Sequence, residues 1–223
     1  MSKGLIVMSE FKKKVKLASG IRKLDLNNVT IRNAEERDVE GIYHVATSVG
    51  KKAKDPMQGY LMNDYESDPE GFKEKFSKTI ELSDFFYVAE YIDHEYHAIV
   101  GFTFGLRKNN WLKENPTWLD ECYFKPGFNM DNLNDFMMLE KIAVLDRFKR
   151  QGVGGMLSKR LIKDIKEKGI FDIFEEVIIA PVPNLPSVLF KKKRNFQLAS
   201  MRYEELNNQV LTTLVYHRKL KRP

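Results

Sequence analysis

Three glycines, Gly152, Gly154 and Gly155, follow the basic residues Arg147, Lys149 and Arg150, where an apolar run gives way to apolar residues at helical spacing. A strand that turns through glycines into a helix can hold a phosphate. Glycine lets the backbone come close, and a helix start offers unpaired N–H groups at the positive end of its dipole. Lys159 and Arg160 add charge one turn later. Two familiar phosphate loops do not fit. A P-loop needs Lys and then Ser or Thr after its last glycine, but Met156 and Leu157 stand there. A dinucleotide fingerprint needs a further glycine at the position of Leu157. The alternative to a phosphate cradle is a glycine turn that serves helix packing alone.

Glu140 is the second residue whose type and place suggest chemistry. It interrupts the apolar run 136–145, and a buried carboxylate needs a partner or a task. Two roles stay open, a general base and a structural ion pair with a lysine. The histidines (His44, His94, His97, His217) are scattered, and Cys122 is the sole cysteine. It can form neither an intrachain disulfide nor a thiolate zinc site, so no metal is expected. A single cysteine suits a reducing, cytoplasmic setting.

The stretch Leu139-Glu140-Lys141-Ile142-Ala143-Val144, then Phe148-Lys149-Arg150-Gln151-Gly152-Val153-Gly154-Gly155-Met156-Leu157, resembles the central motif of the GNAT superfamily of N-acetyltransferases. There a strand runs into Arg or Gln, two variable residues, Gly, one variable residue, and Gly or Ala. The order of elements over about 28–220 is similar, and Asn184-Leu185-Pro186-Ser187-Val188-Leu189-Phe190 resembles the start of a later helix that often opens with Asn. The resemblance implies an acetyl-CoA-dependent N-acetyltransferase in which an amine attacks the thioester directly in a ternary complex. It implies that backbone groups of Ile142, Ala143 and Val144 pair with the pantetheine arm. Amides from Lys149, Arg150, Gln151, Gly152, Val153 and Gly154 would cradle the pyrophosphate, with Gly155, Asn184 and Phe190 beside them. Glu140 matches a glutamate that acts near the acceptor amine in polyamine acetyltransferases of the family, within a Leu-Glu-Asp context whose third residue is Lys141 here. The sequence departs from the pattern at Lys149, where Arg or Gln is usual. It departs again at Lys191, where many members carry a tyrosine that protonates the leaving thiolate, and at Asn195, where a glycine is common. The general acid is therefore unassigned.

These residues need positioning elements, and the spacing predicts them. Val29 to Arg32 reads as a strand, Asn33 and Glu36 as a capping pair, and Val39, Ile42, Tyr43, Ala46 and Val49 as a helix ended by Gly50. Residues 51–65 read as a loop, where Tyr60 and Asp64 can line an acceptor side. Asp68-Pro69 caps a helix marked by Phe72, Phe76 and Ile80. Residues 85–91 and 98–106 form a hairpin, and 136–145 a central strand. Residues 107–135, with Trp111 and Trp118, read as a long functional connection or as a cap on the core. Val153 to Ile165 is helical and stopped by Gly169, 176–180 is a strand, 187–194 is a basic helix whose lysines are solvated or reach the coenzyme's 3′-phosphate, and 196–205 and 210–219 are paired strands. The fold class is α/β (α+β mixed), a mostly antiparallel central sheet of about six to seven strands flanked by helices, with one crossover in the middle of the chain.

The 223 residues fit one domain, 28–223, behind a basic extension, 1–27, that carries Lys12, Lys13, Lys14 and Lys16. A net charge of +6 suits a polyanionic partner such as a phosphorylated coenzyme. Nucleic acid is disfavoured because no recognition motif accompanies the charge. No apolar run is long enough for a membrane. The acceptor is an amine of unread type, and a homodimer is compatible. A non-catalytic acyl-CoA-binding domain is the alternative function.

Overall fold

Alternation of β-branched and aromatic residues builds the sheet, and helical spacing of apolar residues builds the layers on it. A computed structural model describes residues 24–50, 54–94, 96–206 and 208–222, so the lysines at 12–16 lie outside the described residues. The strands are β1 (Val29–Asn33), β2 (Phe85–Ile92), β3 (His97–Arg107), β4 (Tyr123–Phe124), β5 (Met137–Val144), β6 (Asp172–Ala180), β7 (Gln197–Leu206) and β8 (Gln209–Lys219). They form one eight-stranded sheet in the order β1-β2-β3-β5-β6-β8-β7-β4. Every neighbouring pair is antiparallel except β5 and β6, which are parallel and joined by a crossover helix.

The helices are α1 (Val39–Val49), α2 (Pro69–Leu82), α3 (Lys108–Glu114), α4 (Trp118–Glu121), α5 (Val153–Glu167) and α6 (Leu185–Lys193). The apolar stripe of α1 (Val39, Ile42, Val45, Ala46, Val49) is buried on the sheet. Next to it Phe76 of α2 meets Phe102 edge to face, with ring centroids 5.6 Å apart. The opposite face is covered by α5, whose Asp164 accepts from the Tyr87 hydroxyl at 2.9 Å. Leu24, within the segment read as an extension, is buried in this main core.

Three features differ from the sequence reading, and a fourth settles an alternative it left open. The capping box before α1 uses Glu35 and Asp38 rather than Asn33 and Glu36, because a turn of 3₁₀ helix (Glu36–Asp38) precedes the α-helix. β6 begins at Asp172, not at 176, because pairing with β8 extends it. The eighth strand is β4, a two-residue addition on β7. Residues 107–135 contain α3, α4 and β4, and they build a second buried cluster in which Trp111, Trp118, Phe136, Met138 and Phe174 pack together. Both tryptophans are thus core residues, as the cap reading of this stretch has it.

Candidate functional site

β5 and β6 stay together only briefly. Their register runs from Met137 opposite Ile173 to Leu139 opposite Glu175, and beyond that the two strands share no ladder. β6 continues in register with β8, while β5 continues in register with β3. Between them opens a wedge, and the edge of β5 from Glu140 to Val144 faces it without a strand partner. Ile142, Ala143 and Val144 therefore lie where an extended, amide-bearing arm can add to a sheet edge.

A β-bulge marks the apex of the wedge. Phe104 pairs with Lys141 and Gly105 with Leu139, which leaves Glu140 as the extra residue. Gly105 permits this close approach, since a Cβ there would stand 2.7 Å from the Met138 carbonyl oxygen. Regular alternation would send Glu140 and Lys141 to opposite faces, but a bulge re-aims side chains. The two form an ion pair, each side chain 16% exposed. Burial works against the Lys141 ammonium, and the Glu140 carboxylate, with Tyr65 and Glu114, more than offsets it, so its pKa lies above the ordinary lysine value. The ammonium also lies 5.3 Å from the Phe104 ring centroid. The pairing foreseen as one role for Glu140 is present. It leaves the carboxylate partly open at the apex.

The glycine turn sits at the end of β5. Arg150 (φ 62) and Gly152 (φ 103) adopt left-handed backbone conformations, and a succession of such turns directs neighbouring amides toward one point. Among the described residues, none of the N–H groups of Arg150, Gln151, Gly152, Val153 and Gly154 bonds to a backbone carbonyl. Those of Val153 and Gly154 belong to the first turn of α5, where helix geometry supplies no partner. A Cβ on Gly154 would lie 3.8 Å from Val144, so the cradle adjoins the open edge of β5. The long side chains point elsewhere. Lys149 Nζ pairs with Asp146 at 2.6 Å and donates to the carbonyl oxygens of Gln58 and Gly59 at 3.1 and 3.2 Å. Gln151 accepts from the Leu24 amide at 2.6 Å and donates to the Arg147 carbonyl at 2.9 Å. The groups left open at this turn are therefore backbone amides, and the Lys149 and Gln151 side chains tie the turn to its surroundings.

The loop before α2 is held across the wedge from both sides. Lys149 holds one end, and on the other the Tyr60 hydroxyl donates to the Val182 carbonyl. Asn184 donates to the Tyr60 carbonyl at 2.9 Å while its Oδ1 accepts from the Ser187 amide at 3.3 Å. Asn184 thus caps α6 and fixes the loop at once. Phe190, in the middle of α6, presents its ring to the cations of Lys191 and Arg194 at 5.2 Å each.

Lys191 departs from its reading as part of a solvated face. It is 2% exposed and ion-paired with Glu175, which stands at the last rung before the strands part. Complete burial pulls its pKa down to about 7, and the adjacent carboxylate opposes that pull. The second oxygen of Glu175 is buried without a hydrogen-bond partner among the described residues, as is the hydroxyl of Tyr65 near Glu140 and Lys141. Neither Glu175 nor Tyr65 stood out in the sequence. Among the described residues there is no His, Cys, Asp and Glu cluster suited to a metal ion, and no helix is long and apolar enough to cross a membrane.

No family model and no curated protein matches the chain, but solved structures do. An N-acetyltransferase from Staphylococcus aureus Mu50 is similar at a TM-score of 0.57 and 17% identity, covering 87% of this chain and 99% of that one. The PaiA N-acetyltransferase from Thermoplasma acidophilum, in complex with coenzyme A, is similar at 0.55 and 18%, covering 86% and 98%. The yncA protein from Salmonella typhimurium, with its cofactor acetyl-CoA, is similar at 0.55 and 14%, covering 88% and 96%. The mixed sheet, its parted central strands and its flanking helices are the fold of the GNAT N-acetyltransferases.

Proposed function

We propose that this chain, which has the GNAT acetyltransferase fold, binds acetyl-CoA and transfers the acetyl group to a primary amine. The observation that carries this reading is the run of amides from Arg150 to Gly154, without backbone partners, beside an unpaired strand edge that ends in a wedge. Amides of the cradle take the pyrophosphate, the edge at Ile142, Ala143 and Val144 takes the pantetheine arm, and the thioester comes to the apex beside Glu140. Coenzyme A is a co-substrate on this reading, not a resident group.

The residues then divide the work. A lysine-like amine has a pKa of about 10.4 and must lose a proton to attack. Glu140, at the bulge, accepts that proton, and Lys141 holds the carboxylate in place. An N–H of the open β5 edge next to the bulge faces the oxyanion that forms as the C–N bond is made. The C–S bond then breaks and the thiolate leaves. A thiol of pKa about 8.5 leaves without much acid assistance, which fits a site where Lys191 is committed to Glu175. That same commitment favours the second reading, an acyl-CoA-binding domain without turnover.

Acetyl-CoA at a hundredfold excess over Kd stabilises by about 2.7 kcal/mol. For a chain of this length the rise in melting temperature is roughly 5–10 °C. Both readings predict that rise, and only transfer predicts thioester cleavage that depends on an added amine. A chain that acetyl-CoA does not stabilise overturns both.

A further inference from the structure

Tyr65 is a buried group that the transfer chemistry leaves unused. It stands three residues before Asp68, the N-cap of α2, and its ring is locked in place. The ring stacks on Phe76 with centroids 5.9 Å apart and tilts on Phe72 at 4.7 Å. Tyr43 donates to its backbone carbonyl at 2.9 Å. Tyr65 is 1% exposed, yet its hydroxyl meets no polar partner among the described residues. Burying a hydroxyl unpaired is costly, so a group fixed in this way calls for a partner.

Tyr65 lines a small cavity of about 20 Å³ together with Lys141 of the bulge. That is room for a water-sized group, such as one oxygen of a carboxylate. The far wall is one face of α2, where Phe72, Lys75, Phe76 and Thr79 recur at helical spacing. Lys141 reaches the cavity from β5 beside Phe104, its partner in register. Asn63 and Lys75 form an exposed rim. No acidic side chain lines the cavity, and two ammonium groups do. Lys75 pairs with no carboxylate among the described residues, whereas Lys73 and Lys78 of the same helix are both paired. Burial holds the Tyr65 pKa above the ordinary tyrosine value, so the hydroxyl keeps its proton and can donate it in a hydrogen bond.

The reaction itself gives this cavity a reason to take an anion. Glu140 is the counter-charge of Lys141. Once Glu140 has accepted the proton of the acceptor amine, it is neutral and the Lys141 ammonium stands unbalanced in a largely buried place, which is costly. A carboxylate carried by the acceptor restores the balance and meets the Tyr65 hydroxyl and the Lys75 ammonium as well. Hydrogen bonds in which the acceptor atom is charged are the strong ones. We propose that Tyr65, Lys75 and Lys141 form a carboxylate subsite, and that the acceptor is an amino acid, a molecule carrying a carboxylate as well as its primary amine. This inference rests on the transfer reaction proposed above.

Steady-state acetylation by the full chain of ω-amino acids, from glycine upward, and of n-alkylamines matched in length tests it. Hydrogen bonds to a charged group predict that kcat/KM for the best amino acid exceeds that of its matched alkylamine by on the order of 10- to 100-fold. Tyr65→Phe keeps the ring and removes the hydroxyl. Lys75→Gln removes the rim charge at an exposed position, where folding is not at risk. Each should bring the ratio toward one, mainly by raising KM for the amino acid. Lys75→Glu, which reverses the charge, should lower the ratio further. A wild-type ratio of one or less at every length overturns the subsite and leaves the transfer reaction standing. A preference that survives all three substitutions also overturns it. If neither series is acetylated, transfer has been misread and the subsite falls with it.

Discussion

Replacing Glu175 by glutamine leaves the Lys191 ammonium beneath α6 with no carboxylate to face. The wild-type pair is enclosed, with side chains 2% and 5% exposed. Burial already pulls the folded-state pKa of Lys191 down to about 7 in the wild-type chain, against an ordinary value of 10.5. With the carboxylate gone nothing opposes that pull, and the pKa falls further. The unfolded chain binds the proton up to its ordinary pKa, whereas the folded variant releases it well below that. The unfolded state therefore holds more protons across that window, and stability of the variant rises with pH through it. At the acid end of the window the charge is buried unpaired and the variant is least stable. Urea unfolding of Glu175→Gln and wild type, from pH 6 to 10, measures the effect. The variant should be several kcal/mol less stable at pH 6, in line with the roughly 3–5 kcal/mol for breaking a buried pair. Most of the loss should return by pH 10. The double substitution Glu175→Leu with Lys191→Met should lie near wild type with no such slope. Parallel stability curves for Glu175→Gln and wild type would refute the enclosed pair.

Glu140→Gln should lower amine-dependent turnover by about 10²- to 10⁴-fold while acetyl-CoA binds with unchanged affinity, and steady-state kinetics with calorimetry separate the two. Gly152→Ala places a side chain at φ 103, which should cost about 1–2 kcal/mol of stability in thermal melts and weaken coenzyme binding together with it. Arg202→Met removes the cation shared by Glu121, Glu176 and Glu204. It should cost about 3 kcal/mol or more by urea unfolding.

Local signals made the glycine turn legible. Glycines, cations and the change from strand to helix spacing all fall between Arg147 and Leu157, so no long-range contact was needed to read them. The alternation of residues 85–106 revealed the hairpin in the same way. The bulge was hidden because it is a register between β3 and β5, and Gly105 was the sequence trace it left. Lys191 was misread because four consecutive basic residues look solvated, while the face that α6 turns inward is set by β6 beneath it. Trp111 and Trp118 stand in an irregular stretch, so the sequence leaves them between a functional connection and a cap on the core. Short helices turn them onto Phe136 and Phe174, a contact made only by the folded sheet. The eighth strand and the early start of β6 follow from pairing with β7 and β8, which no local pattern announces.

The central claim is that the backbone turn from Lys149 to Gly155 holds the phosphates of acetyl-CoA. Calorimetric titration of acetyl-CoA into the wild-type chain and into Gly154→Asp tests it most directly, since the substitution puts a carboxylate among the amides and leaves the helix. The account predicts one-to-one binding to the wild-type chain and none to a folded Gly154→Asp. Equal binding by the two chains, or none by the wild type, would contradict it.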